Sequence, residues 1–242
     1  MIYTSMNNER IKNIKKLKEK KYRDKTGLFL IEGDHLIKEA YTSKILKEVI
    51  LLEGDIIDFD IPVIYVSKEI MKELTDVESP SNRIGICYKK EEQPVQNRII
   101  ILDDIQDPGN LGAIIRSAVA FHVDTIVLSN QTVDLYNSKV IRSSQGMMFK
   151  VNIIRRDTKE FVKELKQKEY TILSTQLDHG KNIKTIEKSK KIAIIMGNEG
   201  KGVNKSLLEL SDSFVYIKMN PECESLNVAV ATSIILYELW GE

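Results

Sequence analysis

The chain has 242 residues, 42% of them hydrophobic and 29% charged, with 36 Lys and Arg against 35 Asp and Glu. That is an ordinary globular composition, and a chain of this length buries about 70% of its unfolded surface without needing staples. Cys87 and Cys223 lie far apart with no CxxC pair, and His35, His122 and His179 show no ligand spacing. A disulfide scaffold and a dedicated metal site are therefore excluded, and a reducing compartment fits.

The first residues, MIYTSMNNERIKNIKKLKEKK, contain no apolar core of the signal-peptide kind, and no run approaches the roughly 18 apolar residues of a membrane span. The expectation is a cytosolic protein. Residues 9–25 hold nine basic and three acidic side chains, a net +6, whereas the rest of the chain nets −5. Such asymmetry predicts that one end faces a polyanion. The plainer alternative is a solvated amphipathic helix, because Ile11, Ile14 and Leu17 recur at helical spacing beneath the lysines.

An apolar strand at 28–31 follows, then a helix opening near Gly33, strands at 47–52 and 62–67, a helix at 68–74 and a strand at 84–88. Alternating strands and short helices predict a small α/β domain over residues 1–94. The polar, proline-bearing stretch EEQPVQN (91–97) is the linker. A second domain, 95–242, opens with the almost wholly apolar RIIIL (98–102), the kind of strand buried in a parallel sheet. Further strands are predicted at 124–129, 150–154, 170–175, 191–196 and 214–219. Helices are predicted at 111–121, 137–144, 158–168, 203–210 and 225–239. The fold class is α/β, with a parallel sheet in the C-terminal domain.

Three loops in this domain each follow a buried strand and precede a helix: DDIQDPGN (103–110), GNEGKG (197–202) and NPECES (220–225). Ligands of open α/β sheets bind beyond the carboxyl ends of the strands, where such loops converge. The first loop ends in turn chemistry and a helix cap, with Gly112 and Arg116 on one face of the helix that follows. The second offers backbone amides at Gly197, Gly200 and Gly202 but matches neither nucleotide-binding fingerprint. Its Glu199 would repel phosphate and suits a neutral or cationic ligand. After the third, Ser225 is the expected helix cap and Asn227 falls in the first turn. Val228 to Leu236 is apolar or small on nearly every face, so the helix needs cover on nearly every side. The expectation is a homodimer joined through this helix, with Ile235 on the outer face.

The segments DPGNLGAIIRSA (107–118), IMGNEGKGV (195–203) and IKMNPECESLNVAVA (217–231) resemble, in order and spacing, the three signature motifs of the SpoU (TrmH-like) RNA 2′-O-ribose methyltransferases of the SPOUT superfamily. RSSQGMMFKVNI (142–153) resembles the segment between the first two. KKYRDKTGLFLIEGDHLIKEA (20–40) resembles the ribosomal-protein-like (L30e-like) RNA-binding domain fused to many members. Two departures stand out: Lys218 occupies a usual proline position, and SPSNRIGI (79–86) has Asn82-Arg83 where many members have Gln-Gly.

The resemblance implies a parallel sheet whose C-terminal segment threads a loop to form a trefoil knot, with S-adenosylmethionine as cofactor. By motif correspondence Gly197, Gly202, Ile217 and Leu226 contact it, with Thr175 and Gln176 nearby. It also implies catalytic roles for Asn110, Arg116, Glu199, Ser225 and Asn227. Methyl transfer is an in-line attack of a ribose 2′-oxygen on a sulfonium methyl, and Arg116 would stabilise the developing alkoxide. The implied partner is RNA, namely large-subunit ribosomal RNA, held by the basic N-terminal segment and the Arg116 region. In members of the family two knots pair, so the RNA site draws on both subunits. A tRNA-acting enzyme of the same fold and a non-catalytic RNA-binding protein are the alternatives.

Overall fold

The computed structural model describes residues 2–76, 81–176, 180–187 and 189–241. His179, and Ser79 and Pro80 of the departing 79–86 stretch, lie outside them. The elements in chain order are β1 (Ile2–Tyr3), α1 (Glu9–Lys16), α2 (Lys20–Thr26), β2 (Leu28–Glu32), α3 (Asp34–Thr42), β3 (Leu46–Leu52), β4 (Val63–Val66), α4 (Lys68–Leu74) and β5 (Arg83–Tyr88). They continue with β6 (Arg98–Leu102), α5 (Pro108–Ala120), β7 (Thr125–Leu128), α6 (Ser138–Ser144), β8 (Asn152–Arg155), α7 (Thr158–Gln167) and β9 (Thr171–Thr175). The last are β10 (Lys181–Asn182), β11 (Ile192–Met196), α8 (Lys205–Leu208), β12 (Ser213–Tyr216) and α9 (Val228–Trp240).

The chain divides into two compact units, residues 1–91 with 134–149, and residues 92–133 with 150–242. The sequence reading placed all of 95–242 in one domain; the fold instead assigns the stretch between β7 and β8 to the first unit.

The first unit is a five-stranded sheet in the order β1-β4-β3-β5-β2, with β5 antiparallel to both neighbours. Strand alternation gives the sheet two apolar faces. Ile50, Ile64, Val66, Ile84 and Ile86 join Ile11, Ile14 and Leu17 from α1 and its cap, with Ile70, Met71 and Leu74 from α4. The basic segment is two helices, because Lys18 and Glu19 turn the chain between them and Gly27 ends the second in the left-handed region. Its apolar stripe is buried as the periodicity predicts, and its lysines face solvent. Several are paired: Lys15 with Glu73 at 2.7 Å, Lys18 with Asp76 at 2.9 Å and Lys20 with Asp24 at 2.8 Å. Lys12 and Lys25 are exposed and make no ion pair with a described residue. Arg83 gives its guanidinium to Asp55 and Asp34. At this departure from the family pattern the arginine is thus engaged in internal ion pairs.

Residues 134–149 join this unit through one buried cation. Arg23 is 7% exposed and donates to the Leu17 and Lys18 carbonyls, which close the first basic helix, and to the Asp134 carboxylate. Beside it the Phe29 ring meets Tyr136 at 4.7 Å and Phe149 at 6.2 Å, and Lys90 donates to the Phe149 carbonyl at 2.8 Å.

The second unit is a seven-stranded sheet in the order β10-β12-β9-β11-β6-β7-β8, parallel at every pairing. β11 and β6 sit in its middle, and Ile192 to Met196 is buried throughout, as an all-apolar strand of a parallel sheet requires. α7 and α8 cover one core with Phe161, Val162, Leu165 and Leu207. The predicted strand at 214–219 stops at Tyr216. Ile217 to Asn220 leave the ladder, and Ile217 and Met219 wall a cavity instead.

The C-terminal helix corrects the sequence reading twice. Asn227, not Ser225, is its cap: the Asn227 Oδ1 accepts the N–H groups of Ala229 and Val230, and the helix opens at Val228. Ile235 faces inward, is 1% exposed and lines the same cavity as Ile217, while α9 also packs along α5. Ser117 and Ser233 hydrogen-bond between these two helices at 2.7 Å, and Phe121 meets Tyr237 edge-on. The large apolar side chains of α9 left in solvent are Val230 and Tyr237.

Removing one partner of a buried charge pair strands the other, at a cost of about 3 kcal/mol. Asp134→Ala should therefore lower the urea midpoint of the full chain by that equivalent. A change under about 0.5 kcal/mol, the range of ordinary surface substitutions, would show that Arg23 is satisfied by its two carbonyls alone.

Candidate active site

The three loops singled out in the sequence meet at one edge of the second unit's sheet, beyond the carboxyl ends of β6, β11 and β12. Each is held by its own local chemistry. Asp107 caps α5 by accepting the Asn110 N–H at 2.8 Å, and Pro108 occupies the first turn, where a missing N–H costs nothing. The second loop folds back on itself: the Asn198 and Gly202 backbones exchange hydrogen bonds of 3.0 and 2.9 Å. The Asn198 side chain accepts the N–H groups of Gly200 and Lys201 and donates to the Asp104 carbonyl at 2.8 Å. Gly202 needs its positive φ of 69°, and a Cβ on Gly197 would lie 2.2 Å from the Gly202 carbonyl carbon. No side chain fits at Gly197, so the two backbones can touch only there.

Asn110 then joins all three loops. Its Nδ2 donates to Glu199 Oε1 at 2.9 Å, and its Oδ1 accepts from Asn227 Nδ2 at 3.0 Å. Asn227 Oδ1 is simultaneously the cap of α9, so the carboxamide of each asparagine is used at both ends.

Behind this chain of hydrogen bonds lies a cavity of about 390 Å³. That is within the range of roughly 300–1,000 Å³ typical of small-molecule sites. Every residue that the sequence reading offered for cofactor binding lines it: Thr175, Gln176, Gly197, Gly202, Ile217 and Leu226. Glu199 and Ser225 line it too. Asn110 and Asn227 do not, but they hold Glu199 at its rim. Met196, Val203, Leu208, Val215, Val228 and Ile235 make the walls largely apolar. Gln176 is one of its lining residues, and the Oε1 of that side chain is buried with no hydrogen-bond partner among the described residues. An orphaned acceptor in an apolar cavity costs free energy unless a ligand donates to it.

These features fit S-adenosylmethionine: an apolar slot for an adenosine, a carboxamide oxygen for an amino group and a carboxylate at the rim for a sulfonium or ammonium.

Arg116 is not brought to this cavity. It is exposed, it does not line the cavity, and it makes no hydrogen bond or ion pair with a described residue. It stands six residues after Asn110 on α5, about 240° round the helix, so the two side chains point apart. Asn198, which pins the second loop, was missed by the sequence reading; an asparagine opening a glycine-rich turn was the available signal. No group of three or more metal-ligating side chains occurs among the described residues, and no helix there is long and apolar enough to cross a membrane.

Known proteins agree with this geometry. A family model described as the SpoU rRNA methylase family matches residues 97–237, and one described as an MRM3-like substrate-binding domain matches residues 8–85. The chain is 39% identical over 243 residues to the Bacillus subtilis protein named 23S rRNA (guanosine(2553)-2′-O)-methyltransferase RlmP, covering 98% of both chains. Among solved structures it resembles an AdoMet-bound rRNA methyltransferase from Sinorhizobium meliloti, with TM-score 0.86, 27% identity and coverage of 99% and 97% of the two chains. The SpoU methyltransferase AviRb from Streptomyces viridochromogenes, also with AdoMet, superposes with TM-score 0.85 over 96% and 97% of the two chains; at 23% identity it is a likeness of fold. With three signature loops built as the motifs require and a family model matching more than half its length, the chain belongs to the SpoU rRNA methylase family.

Proposed function

We propose that the protein transfers a methyl group from S-adenosylmethionine to the ribose 2′-hydroxyl of a guanosine in 23S ribosomal RNA, in the cytoplasm, as a homodimer. The observation that carries the reading is the junction of Asn110, Glu199 and Asn227 over an apolar cavity lined by all six expected cofactor residues. The near full-length likeness to a 23S rRNA methyltransferase favours that substrate over tRNA. The threading of the C-terminal segment as a trefoil knot belongs to the same reading. It is supported by the placement of β11 between β9 and β6 and by the return of α9 to α5.

The cofactor supplies the methyl group and its leaving thioether; this chain's residues position the reactants. Gly197 keeps the wall free of a side chain so that the cofactor can approach the backbone, Gly202 closes the loop on Asn198, and the Gln176 carboxamide meets the adenine. Thr175, Ile217 and Leu226 shape the slot. Glu199, fixed by Asn110, faces the positive end, and Ser225 orients the third loop. A ribose hydroxyl is a poor acid, so its attack needs a cation that meets the developing alkoxide. Arg116 is the residue for it, and its permanent charge makes it an electrostatic stabiliser. Its exposure, and its absence from the cavity of its own chain, support the dimer: the arginine of one copy serves the cavity of the other. The interface then runs along the outer flank of α5 and α9 near Arg116, Val230 and Tyr237, not over Ile235. The basic α1 and α2 reach RNA phosphates through lysines such as Lys12 and Lys25.

Arg116→Ala should leave the dissociation constant for S-adenosylmethionine within about twofold and lower turnover by roughly 10²–10³-fold, the usual cost of removing one charge that stabilises a transition state. Normal turnover would make Arg116 a surface residue. Gly197→Ala should do the reverse first: cofactor affinity measured by calorimetry should fall more than about tenfold, a loss of at least ~1.4 kcal/mol. Unchanged affinity would place the cofactor elsewhere. Light scattering on the active protein should give about twice the 27.7 kDa of one chain, and Tyr237→Glu should shift it towards that single mass. A fully active species of one-chain mass would end the dimer and with it the shared site.

A further inference from the structure

A second cleft, of about 550 Å³, opens on the far side of the 198–203 loop. Asn198, Lys201 and Gly202 line both this cleft and the cofactor cavity, so the loop is a thin partition between the two. The charged side chains lining the second cleft are of both signs. Its carboxylates are tied to the protein: Asp103, 5% exposed, accepts the Asn204 N–H at 2.8 Å, and Asp104 accepts the Ser129 hydroxyl at 2.6 Å. Burial pushes the Asp103 carboxyl upward from the ordinary carboxylate range. Its cations are not tied. Lys201 and Lys205 are exposed, and neither ammonium makes a hydrogen bond or ion pair with a described residue.

We propose that this cleft holds a phosphate of the RNA strand next to the methyl-accepting ribose, with Lys201 and Lys205 as its ligands; the inference rests on the RNA methyltransferase reading above. A ribose in RNA carries a phosphodiester on each side. A 2′-oxygen presented to the cofactor cavity would bring its flanking phosphates to the loop that separates the two spaces, and Lys201 on that loop and Lys205 just after it line the far side. Lysine is a compact point charge with three donors, suited to a phosphate that is positioned without being read for sequence. The two carboxylates of the cleft are engaged by protein donors, and its two ammonium groups have no partner among the described residues, so the cations are the groups left to meet an anionic strand. Lys201 lines both clefts, whereas Lys205 lines only the second, and that difference separates strand binding from cofactor binding.

The test uses the full chain, S-adenosylmethionine and protein-free 23S ribosomal RNA. Lys201→Gln, Lys205→Gln and the double variant are compared with Lys168→Gln/Lys190→Gln, a control of equal charge loss near the amino ends of β9 and β11, the opposite edge of the sheet. The double variant should raise the KM for RNA about tenfold at low salt, and Lys205→Gln, which does not line the cofactor cavity, should leave kcat and cofactor affinity within about twofold. The slope of log affinity against log salt should become shallower by about 0.7 for each phosphate no longer neutralised. Lys205→Gln alone should show part of this effect. An unchanged KM and salt slope would overturn the proposal. So would an equal loss in the control pair, which would mean net charge alone, or a loss of cofactor affinity in Lys201→Gln without any effect of Lys205→Gln. Failure of the wild-type protein to bind the cofactor and methylate RNA would instead overturn the underlying reading, and the inference with it.

Discussion

The carboxamide of Asn110 is the group on which the site depends. Its two ends bind Glu199 and Asn227, residues 89 and 117 positions away, and so tie together loops from the first, second and third motifs. Each partner has a second obligation. Asn227 caps α9, and Glu199 sits on a loop whose backbones touch at Gly197 and Gly202. A change at Asn110 would therefore alter the start of a buried helix and the rim of a cavity together. This is what a parallel sheet makes possible: all its strands end on the same edge, so loops far apart in sequence arrive side by side.

Electrostatics divide the labour around that edge. The cavity walls are largely apolar, and the Oε1 of Gln176, one of the lining residues, has no hydrogen-bond partner among the described residues. The carboxylate stays at the rim, and the free lysines stand on the outer side of the same loop. The cofactor cavity and the lysine-bearing cleft thus share one loop as their partition. In the first unit many basic side chains are committed to neighbours, as Lys15, Lys18, Lys20 and Arg23 are. The sum of positive charges along residues 9–25 overstates what is free to meet a polyanion.

Much of this was legible in the sequence. RIIIL and IAIIM read as buried parallel strands because they are almost wholly apolar, and the six residues offered for the cofactor all line the cavity. What was hidden depended on tertiary neighbours. Asp134–Phe149 follows a second-unit strand in sequence, yet it packs with the first unit because Asp134 meets a buried Arg23 more than a hundred residues away. Ile235 read as outward because the apolar surface of α9 is nearly continuous, and periodicity cannot say which side the fold will cover. Ser225 and Asn227 both have capping side chains, and only the backbone shows that the loop runs on to Asn227. Arg116 was marked by its motif, but no pattern in one chain can show that its side chain turns away from its own cavity.

The destination of the methyl group tests the site most directly. Wild-type protein, labelled S-adenosylmethionine and protein-free 23S ribosomal RNA can be incubated together, the RNA digested to nucleosides and the label identified by mass spectrometry. The site described predicts that the label appears in a 2′-O-methylated nucleoside, released as an alkali-resistant dinucleotide before full digestion. Label in a base-methylated nucleoside, or none in RNA while the cofactor is bound, would contradict it.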